Sequence, residues 1–390
     1  MQRFNQSELL KRLPEQFFAS LVAKAKKLKD EGHDLVNLGQ GNPDLPTPPH
    51  IVEELNAAAG DPLYHKYSPF QGFPFLKEAI CSYYKREYDV ELDPNSEVAI
   101  LFGAKTGLVE ISQCLLNPGD TVLVPDPGYP DYMSGIALAN AKATMMPLLV
   151  ENDFLPDYST LHPSTLQEAK LMFLNYPNNP TSATATKPFF DETVELARKH
   201  NICIAHDFAY GAIGFDGEKP TSFLQSDGAK DVGVEFYTMS KTYNMAGWRV
   251  GFAVGNQSVI KAIELLQDHL YVSLFGGIQH AAAKALLADQ TSVTELVATY
   301  QRRRDVFIGG LNKIGWKVPP SKGTFFVWLP VPPGYTSEQF SEMLMEKAHV
   351  VTAPGNGFGS SGEGYLRVGL LDSEERLLEA VDRIDKLNLF

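Results

Sequence analysis

From about residue 97 onward the chain alternates short runs of β-branched or apolar residues with loops and helix-like stretches, the pattern of parallel strands joined by crossover helices. Seven runs carry it: 97–103, 121–126, 143–148, 171–177, 202–207, 233–240 and 248–255. Several are almost continuously apolar, as in Val98-Ala-Ile-Leu-Phe102, Leu171-Met-Phe-Leu174 and Ile202-Cys-Ile-Ala205, which predicts strands covered on both faces. Beyond 258 the spacing turns helical, over 259–270, 277–288 and 292–311. From Trp316 a different alternation predicts strands at 317–319, 324–330, 350–353 and 365–369, interleaved with helices near 337–347 and 373–387. The first 95 or so residues read as irregular, with Pro43, Pro46, Pro48 and Pro49 crowded together. The predicted fold class is α/β: a large domain with a seven-stranded, mostly parallel sheet sandwiched by helices, plus a small α+β domain. The division expected is an N-terminal arm with part of the small domain over 1–50, the large domain over 51–290 and the small C-terminal domain over 291–390.

Composition fits this picture and narrows the function classes. A chain of 390 residues exceeds one ordinary hydrophobic core, and 44% apolar with 21% charged residues excludes a disordered or one-motif binding module. Lys plus Arg at 34 against Asp plus Glu at 47 gives −13, which argues against broad contact with nucleic acid or an anionic membrane and leaves room for a local cationic pocket. The apolar run 17–23 is followed by Lys24, Lys26 and Lys27, the wrong charge order for a secretory signal, and no run approaches the ~18 apolar residues that span a bilayer. Cys81, Cys114 and Cys203 are odd in number and far apart, so neither a disulfide framework nor a metal site is expected, and the reading is a reducing cytoplasm.

In open parallel sheets ligands bind beyond the carboxyl ends of the strands, so the residues just after each strand carry the chemical information. The first run leads into Gly103-Ala104-Lys105-Thr106, the second into Asp126-Pro-Gly-Tyr129, the fourth into Asn175-Tyr-Pro-Asn-Asn179-Pro-Thr181, the fifth into Asp207-Phe-Ala-Tyr210 and the sixth into Ser240-Lys241-Thr242. Polar groups from five distant segments should therefore converge at one edge. Each alone has a plain alternative. Gly103 to Thr106 suits a phosphate at a helix N-terminus but is not a P-loop, and a Gly-Ala turn is often only a turn. Asp207 could equally cap the next turn. Most lysines are solvated, but one held directly after a buried strand, as Lys241 is, would have its neutral amine favoured, the condition for Schiff-base chemistry.

Taken together these residues resemble the class I and II aminotransferases, pyridoxal-phosphate enzymes of fold type I. The likeness runs from Leu38-Gly-Gln-Gly41-Asn-Pro-Asp44 to Tyr365-Leu-Arg367-Val-Gly369, and its most specific part is Ser240-Lys241 followed by Trp248-Arg249-Val-Gly251, preceded by Asp207-Phe-Ala-Tyr210 and Asn179-Pro-Thr181. The resemblance implies pyridoxal 5′-phosphate as cofactor, carried by Lys241, which would also move the proton at the substrate Cα. Asp207 would pair with the pyridine nitrogen, Tyr210 and Asn179 would hydrogen-bond the ring's 3-oxygen, and Tyr129 would stack on the ring. The phosphate would lie on Gly103, Ala104 and Lys105, with Thr238, Ser240 and Arg249 supplying hydroxyls and charge. Tyr67 matches a tyrosine that reaches the phosphate from the partner subunit, which implies a homodimer. Arg367 matches the arginine that holds the substrate α-carboxylate, and Gly41 would pack close to the substrate. The expected partners are small amino acids and 2-oxo acids.

Two departures stand out. The family's Asn-Pro-Thr-Gly reads Asn179-Pro-Thr-Ser182, and Lys105 replaces a small or acidic residue in the phosphate loop, as in relatives acting on aspartate, diaminopimelate or neutral amino acids. Closer wording in Leu13-Pro-Glu-Gln-Phe17-Phe18-Ala-Ser20, His206-Asp-Phe-Ala-Tyr-Gly211 and Asn244-Met-Ala-Gly-Trp-Arg249 resembles the methionine-salvage branch, near the diaminopimelate aminotransferases. That branch implies conversion of 4-(methylsulfanyl)-2-oxobutanoate to methionine with glutamine or a similar donor, with Phe17, Phe18 and Phe275 expected around the substrate chain. Aspartate-, diaminopimelate- or aromatic-type transamination and a cystathionine β-lyase-like reaction are the alternatives. A cofactor-binding regulator is disfavoured because the chain has no basic helix-turn-helix extension.

Overall fold

The structure, a computed structural model, describes residues 4–14 and 17–390. After a two-residue strand β1 (Val36–Asn37) come the strands of the large sheet: β2 (Val98–Leu101), β3 (Thr121–Asp126), β4 (Lys142–Pro147), β5 (Ala169–Asn175), β6 (Cys203–Asp207), β7 (Gly233–Thr238) and β8 (Gly251–Gly255). They lie in the order β2-β8-β7-β6-β5-β3-β4. The fold is α/β with a seven-stranded, mostly parallel sheet, and each of the seven apolar runs supplies one strand. One run differs in sense. β8 is antiparallel to both β7 and β2, because the link from Thr238 to Gly251 holds only the short helix Met239–Thr242 and one turn, with no long crossover helix to carry the chain back across the sheet.

Both faces of this sheet are covered, which is why its strands are apolar throughout. Helices Ala104–Leu115, Asp131–Ala139 and Gln257–Leu270 bury Leu108, Ile111, Ile136 and Ile263 against one face. Helices Pro74–Tyr88, Lys187–His200 and Gly276–Leu287 bury Ile80, Tyr84, Phe190, Val194 and Ala282 against the other. A second core gathers around β9 (Phe326–Pro330), β10 (Val350–Val351), β11 (Ala353–Pro354) and β12 (Tyr365–Gly369), where the small antiparallel sheet β11-β12-β9 and the parallel pair β1-β10 meet helices Thr291–Lys313 and Glu374–Asp385.

The structure corrects several expectations. The first 95 residues are not irregular, since they hold helices Ala19–Asp30, Pro49–Ala59 and Pro74–Tyr88. Pro49 and Pro74 sit in the first turns of theirs, where a missing N–H costs nothing, so these prolines start helices. No strand forms at 317–319; the Asn312 side chain takes both backbone groups of Val318, accepting its N–H at 3.0 Å and donating to its carbonyl at 3.1 Å. The run 350–353 breaks into β10 and β11 at Thr352, whose backbone carbonyl and hydroxyl both bond the Ser341 hydroxyl. Among the described residues no helix is long and apolar enough to cross a membrane.

Candidate active site

The carboxyl ends of β2, β3, β5, β6 and β7 all face one edge, and the antiparallel sense of β8 adds Arg249, two residues before its start, to the same edge. Gly103 turns the chain from β2 into helix Ala104–Leu115 with φ of 79°, leaving the first amides of that helix without intrahelical partners. A Cβ at Gly103 would stand 2.5 Å from Nη2 of Arg249, and one at Gly251 would stand 2.6 Å from the Ala104 nitrogen. Only glycine at both places lets guanidinium, helix start and β8 close on one another. Arg249, itself left-handed at φ 58°, donates to the Ala246 and Phe102 carbonyls at 3.0 and 3.4 Å. Thr238 accepts from the Ser240 N–H at 3.2 Å as cap of the helix that carries Lys241. Free amides, two hydroxyls and a guanidinium form a cradle suited to a phosphate group.

Lys241 points into this region and donates from Nζ to the Gly41 carbonyl at 2.9 Å. Burial, reinforced by the positive charges of Arg367 and Arg249, lowers its amine to about 8, with Asp207 opposing. Asp207 ends β6, where burial raises its carboxyl to about 6 even though the Tyr132 hydroxyl donates to it at 2.8 Å and the Ala209 N–H at 3.2 Å. Asn175, at the end of β5, donates to the Asp207 carbonyl at 2.8 Å and accepts from the Asn179 N–H at 2.8 Å, tying two strand ends together. Tyr210 is buried edge-on to Phe325, and its hydroxyl is pushed up by that burial. Tyr129 meets Tyr132 edge to face with centroids 5.6 Å apart.

Arg367 arrives from the middle strand of the small sheet. Its Nη1 donates to Asn179 Oδ1 at 2.9 Å and its Nη2 to the Gly39 carbonyl at 3.1 Å, while Nε is buried without a partner. Its guanidinium carbon lies 4.2 Å from the ring centre of Phe326 and 4.6 Å from that of Phe358. Burial brings it down to about 10. A Cβ at Gly41 would come within 3.2 Å of Phe326, so this loop already lies against the ring that backs Arg367.

One cavity of about 610 Å³ is lined by Gly41, Ala104, Lys105, Tyr129, Asn179, Asp207, Tyr210, Thr238, Ser240, Lys241, Arg249 and Arg367. Gly103 forms the turn behind it. Tyr67 lies outside, 91% exposed, and so does Phe275 at 39%, contrary to the expectation that Phe275 lies beside the substrate chain. Phe17 and Phe18 do line it, together with Met133, Met145 and Phe358; residues 15 and 16 of the same motif lie outside the described residues. Lys105 is paired with Asp131 at 3.0 Å. Ser182 adopts φ of 61°, in the left-handed region that favours glycine, the residue the family's motif carries there.

Four neighbours of the site escape the sequence reading: Tyr132, Asn175, Phe326 and Phe358. Tyr132 was within reach, because it stands one helical turn after Tyr129. Asn175 also stands in a strand-end segment already singled out. The two phenylalanines carry no local mark, since their value lies in facing Arg367 from separate segments.

The aminotransferase class I and II family model matches residues 33–384. Over 388 residues the chain is 64% identical to the L-glutamine–4-(methylsulfanyl)-2-oxobutanoate aminotransferase of Bacillus subtilis, covering 100% of this chain and 98% of that one. It is 44% identical to the LL-diaminopimelate aminotransferase of Moorella thermoacetica, with 97% of each chain covered. The substrate-bound structure of BacF from Bacillus subtilis superimposes with a TM-score of 0.95 at 51% identity, covering 99% of this chain and 98% of that one.

Proposed function

This chain belongs to the class I and II aminotransferases, a pyridoxal-phosphate-dependent family, and we propose that it aminates 4-(methylsulfanyl)-2-oxobutanoate to methionine with glutamine or a similar L-amino acid as donor. The observation that carries the chemistry is the meeting, in one cavity, of a buried amine whose neutral form is favoured, a buried carboxylate and a buried guanidinium with an unused N–H. The cradle at Gly103 and Arg249 fits the cofactor's phosphate, and Asp207 fits its ring nitrogen. Bound pyridoxal phosphate supplies the electron sink that lets an amino acid release its Cα proton.

The chain's own residues do the rest. Arg249, the amides of Ala104 and Lys105, and the hydroxyls of Thr238 and Ser240 hold the phosphate, with Tyr67 added from a second subunit of a homodimer. Asp207 keeps the ring nitrogen protonated, and Tyr132 keeps Asp207 pointed at it. Asn179 offers its Oδ1 to Arg367, which leaves its amide N–H groups to donate to the ring's 3-oxygen, as the Tyr210 hydroxyl also would; Tyr129 would cover the ring face. Arg367 takes the substrate α-carboxylate as a planar fork, so that the Cα proton lies toward Lys241. Lys241 Nζ would accept that proton and pass it to the cofactor's C4′, and would carry it the opposite way, from C4′ to Cα, when the 2-oxo acid is aminated. We place the enzyme in the cytoplasm.

Substrate choice rests on the remaining wall. Phe17, Phe18, Met133, Met145 and Phe358 make it apolar, and the Lys105 ammonium is already met by Asp131. Burying a second substrate carboxylate there costs several kcal/mol, whereas each methylene of a thioether chain gains about 0.8 kcal/mol. Lys105, matched in relatives acting on aspartate, diaminopimelate or neutral amino acids, does not choose among them. The deciding measurement is kcat/KM for 4-(methylsulfanyl)-2-oxobutanoate against oxaloacetate with glutamine as common donor. A ratio well above one is expected, and a ratio at or below one removes the methionine reading. Pyruvate and free thiol released from cystathionine without a 2-oxo acid would instead reveal a lyase.

A further inference from the structure

Asp126, the last residue of β3, has no part in the chemistry above, yet its buried carboxylate accepts three hydrogen bonds from one loop of the C-terminal region. Ser360 Oγ donates to Oδ2 at 2.7 Å, Ser361 Oγ to Oδ2 at 3.1 Å and the Ser361 N–H to Oδ1 at 3.1 Å. Two residues further along the β3 end, the Gly128 N–H donates to the Phe358 carbonyl at 2.8 Å. The loop has been shaped to this contact: Gly359 sits at φ of 139°, and a Cβ on it would stand 2.0 Å from Asp126 Oδ1. All three donors to the carboxylate are neutral, an expensive way to bury a charge if it served only to anchor a turn.

The two ends of this latch each adjoin a segment that lines the cavity, at Tyr129 and at 357–359. On one side Asp126 lies three residues before Tyr129. On the other, Ser360 comes two residues after Phe358, whose ring centre lies 4.6 Å from the guanidinium carbon of Arg367, with that of Phe326 at 4.2 Å. Phe358 in turn supports Phe18, with centroids 5.1 Å apart. Since Nε of Arg367 has no polar partner, the aromatic faces and two hydrogen bonds are what hold the fork in place. We propose that Asp126 is a positioning residue for substrate binding: by holding the 358–361 loop to the end of β3 it fixes Phe358 against Arg367 and so sets the orientation of the α-carboxylate clamp. Lys241, Asp207 and Arg249 come from other strand ends, so loss of the latch should weaken substrate binding and spare the chemical step.

This inference rests on the aminotransferase reading of Arg367, and its test separates the two. Asp126→Ala and the double variant Ser360→Ala/Ser361→Ala approach the latch from opposite sides, so a folding failure of the first leaves the second decisive. Each should raise KM for methionine and for its 2-oxo acid about tenfold, with kcat within about threefold and the absorbance of bound cofactor unchanged. Combining them should add nothing further, as expected for one shared interaction. A folded double-serine variant with KM within twofold of the parent, or a loss that falls on kcat or on cofactor retention instead, overturns the proposal. A parent protein inert toward methionine would sink the methionine-salvage reading alone, and the same KM comparison with whichever amino acid it does accept would still decide the role of Asp126.

Discussion

Asn179, beyond the end of β5, and Arg367, in the middle of β12, meet through a single hydrogen bond of 2.9 Å from Nη1 to Oδ1. The bond joins the large sheet to the small one and fixes which end of the amide faces which ligand. Because the oxygen is committed to Arg367, the other end is left to donate. Asn179→Asp would put a carboxylate in the place where the guanidinium should meet a substrate. KM for amino acids should rise tenfold or more from that competition. Steady-state titration with methionine checks it, and an unchanged KM would mean that Arg367 does not hold the α-carboxylate.

The amine of Lys241 should titrate far below an ordinary lysine. In the cofactor-free protein, labelling of this residue by an acylating reagent should rise with a midpoint near 8. A lowered amine pKa is a cost to folding at low pH, where the folded chain must hold a proton that its interior disfavours. Between about 8 and 10.5 the unfolded chain still holds a proton that the folded chain has released, so this cost grows as pH falls from the ordinary lysine value and is constant below about 8. Borohydride reduction of the cofactor-loaded protein, followed by peptide mapping, should place the label on Lys241, and a label on another lysine would falsify the assignment.

Burial makes the Asp207 carboxylate a cost to stability. Its carboxyl is raised from 3.8 to about 6, so the penalty is absent below the lower value, accumulates as pH climbs between the two and is constant above. Cofactor-free Asp207→Asn should therefore be more stable than the parent by about 1–3 kcal/mol at pH 7 and no more stable at pH 3.5. Turnover should fall about a hundredfold or more. Denaturant melts at the two pH values decide the first point, and a variant less stable at neutral pH would contradict it.

Tyr67 is 91% exposed in the single chain and outside the cavity, the position expected of a side chain that serves a second subunit. Tyr67→Phe should weaken cofactor retention. In hybrid dimers that pair a Tyr67→Phe subunit with a Lys241→Ala subunit, the one competent site would receive its tyrosine from the Lys241→Ala chain. That site should retain cofactor as the parent does. Hybrids as weak as the Tyr67→Phe homodimer would show that the hydroxyl acts within its own chain.

The division between what the sequence shows and what it hides comes from the range of the interactions. Continuous apolar runs such as 98–102 and 171–174 mark strands covered on both faces, and polar residues just after such runs mark the ligand edge, so local order singled out Lys241, Asp207, Asn179 and the Gly103 turn, while the role of each came from the resemblance. Arg367 needed the resemblance, because nothing in Tyr365-Leu-Arg-Val-Gly369 separates a clamp from an edge-strand arginine. The sense of β8 was not legible either, for an apolar run has no direction; the short link after Thr238 set it, and it is this reversal that delivers Arg249 to the site. Prolines misled at the N-terminus because the same residue breaks a helix from within and begins one at its first turn. The contacts of Tyr132 with Asp207, of Phe326 and Phe358 with Arg367, and of Asp126 with Ser360 and Ser361 were decided only by tertiary structure. Most join segments more than 70 residues apart, and periodicity, which reports on neighbours along one element, carries no information about which distant side chain will fill the space opposite.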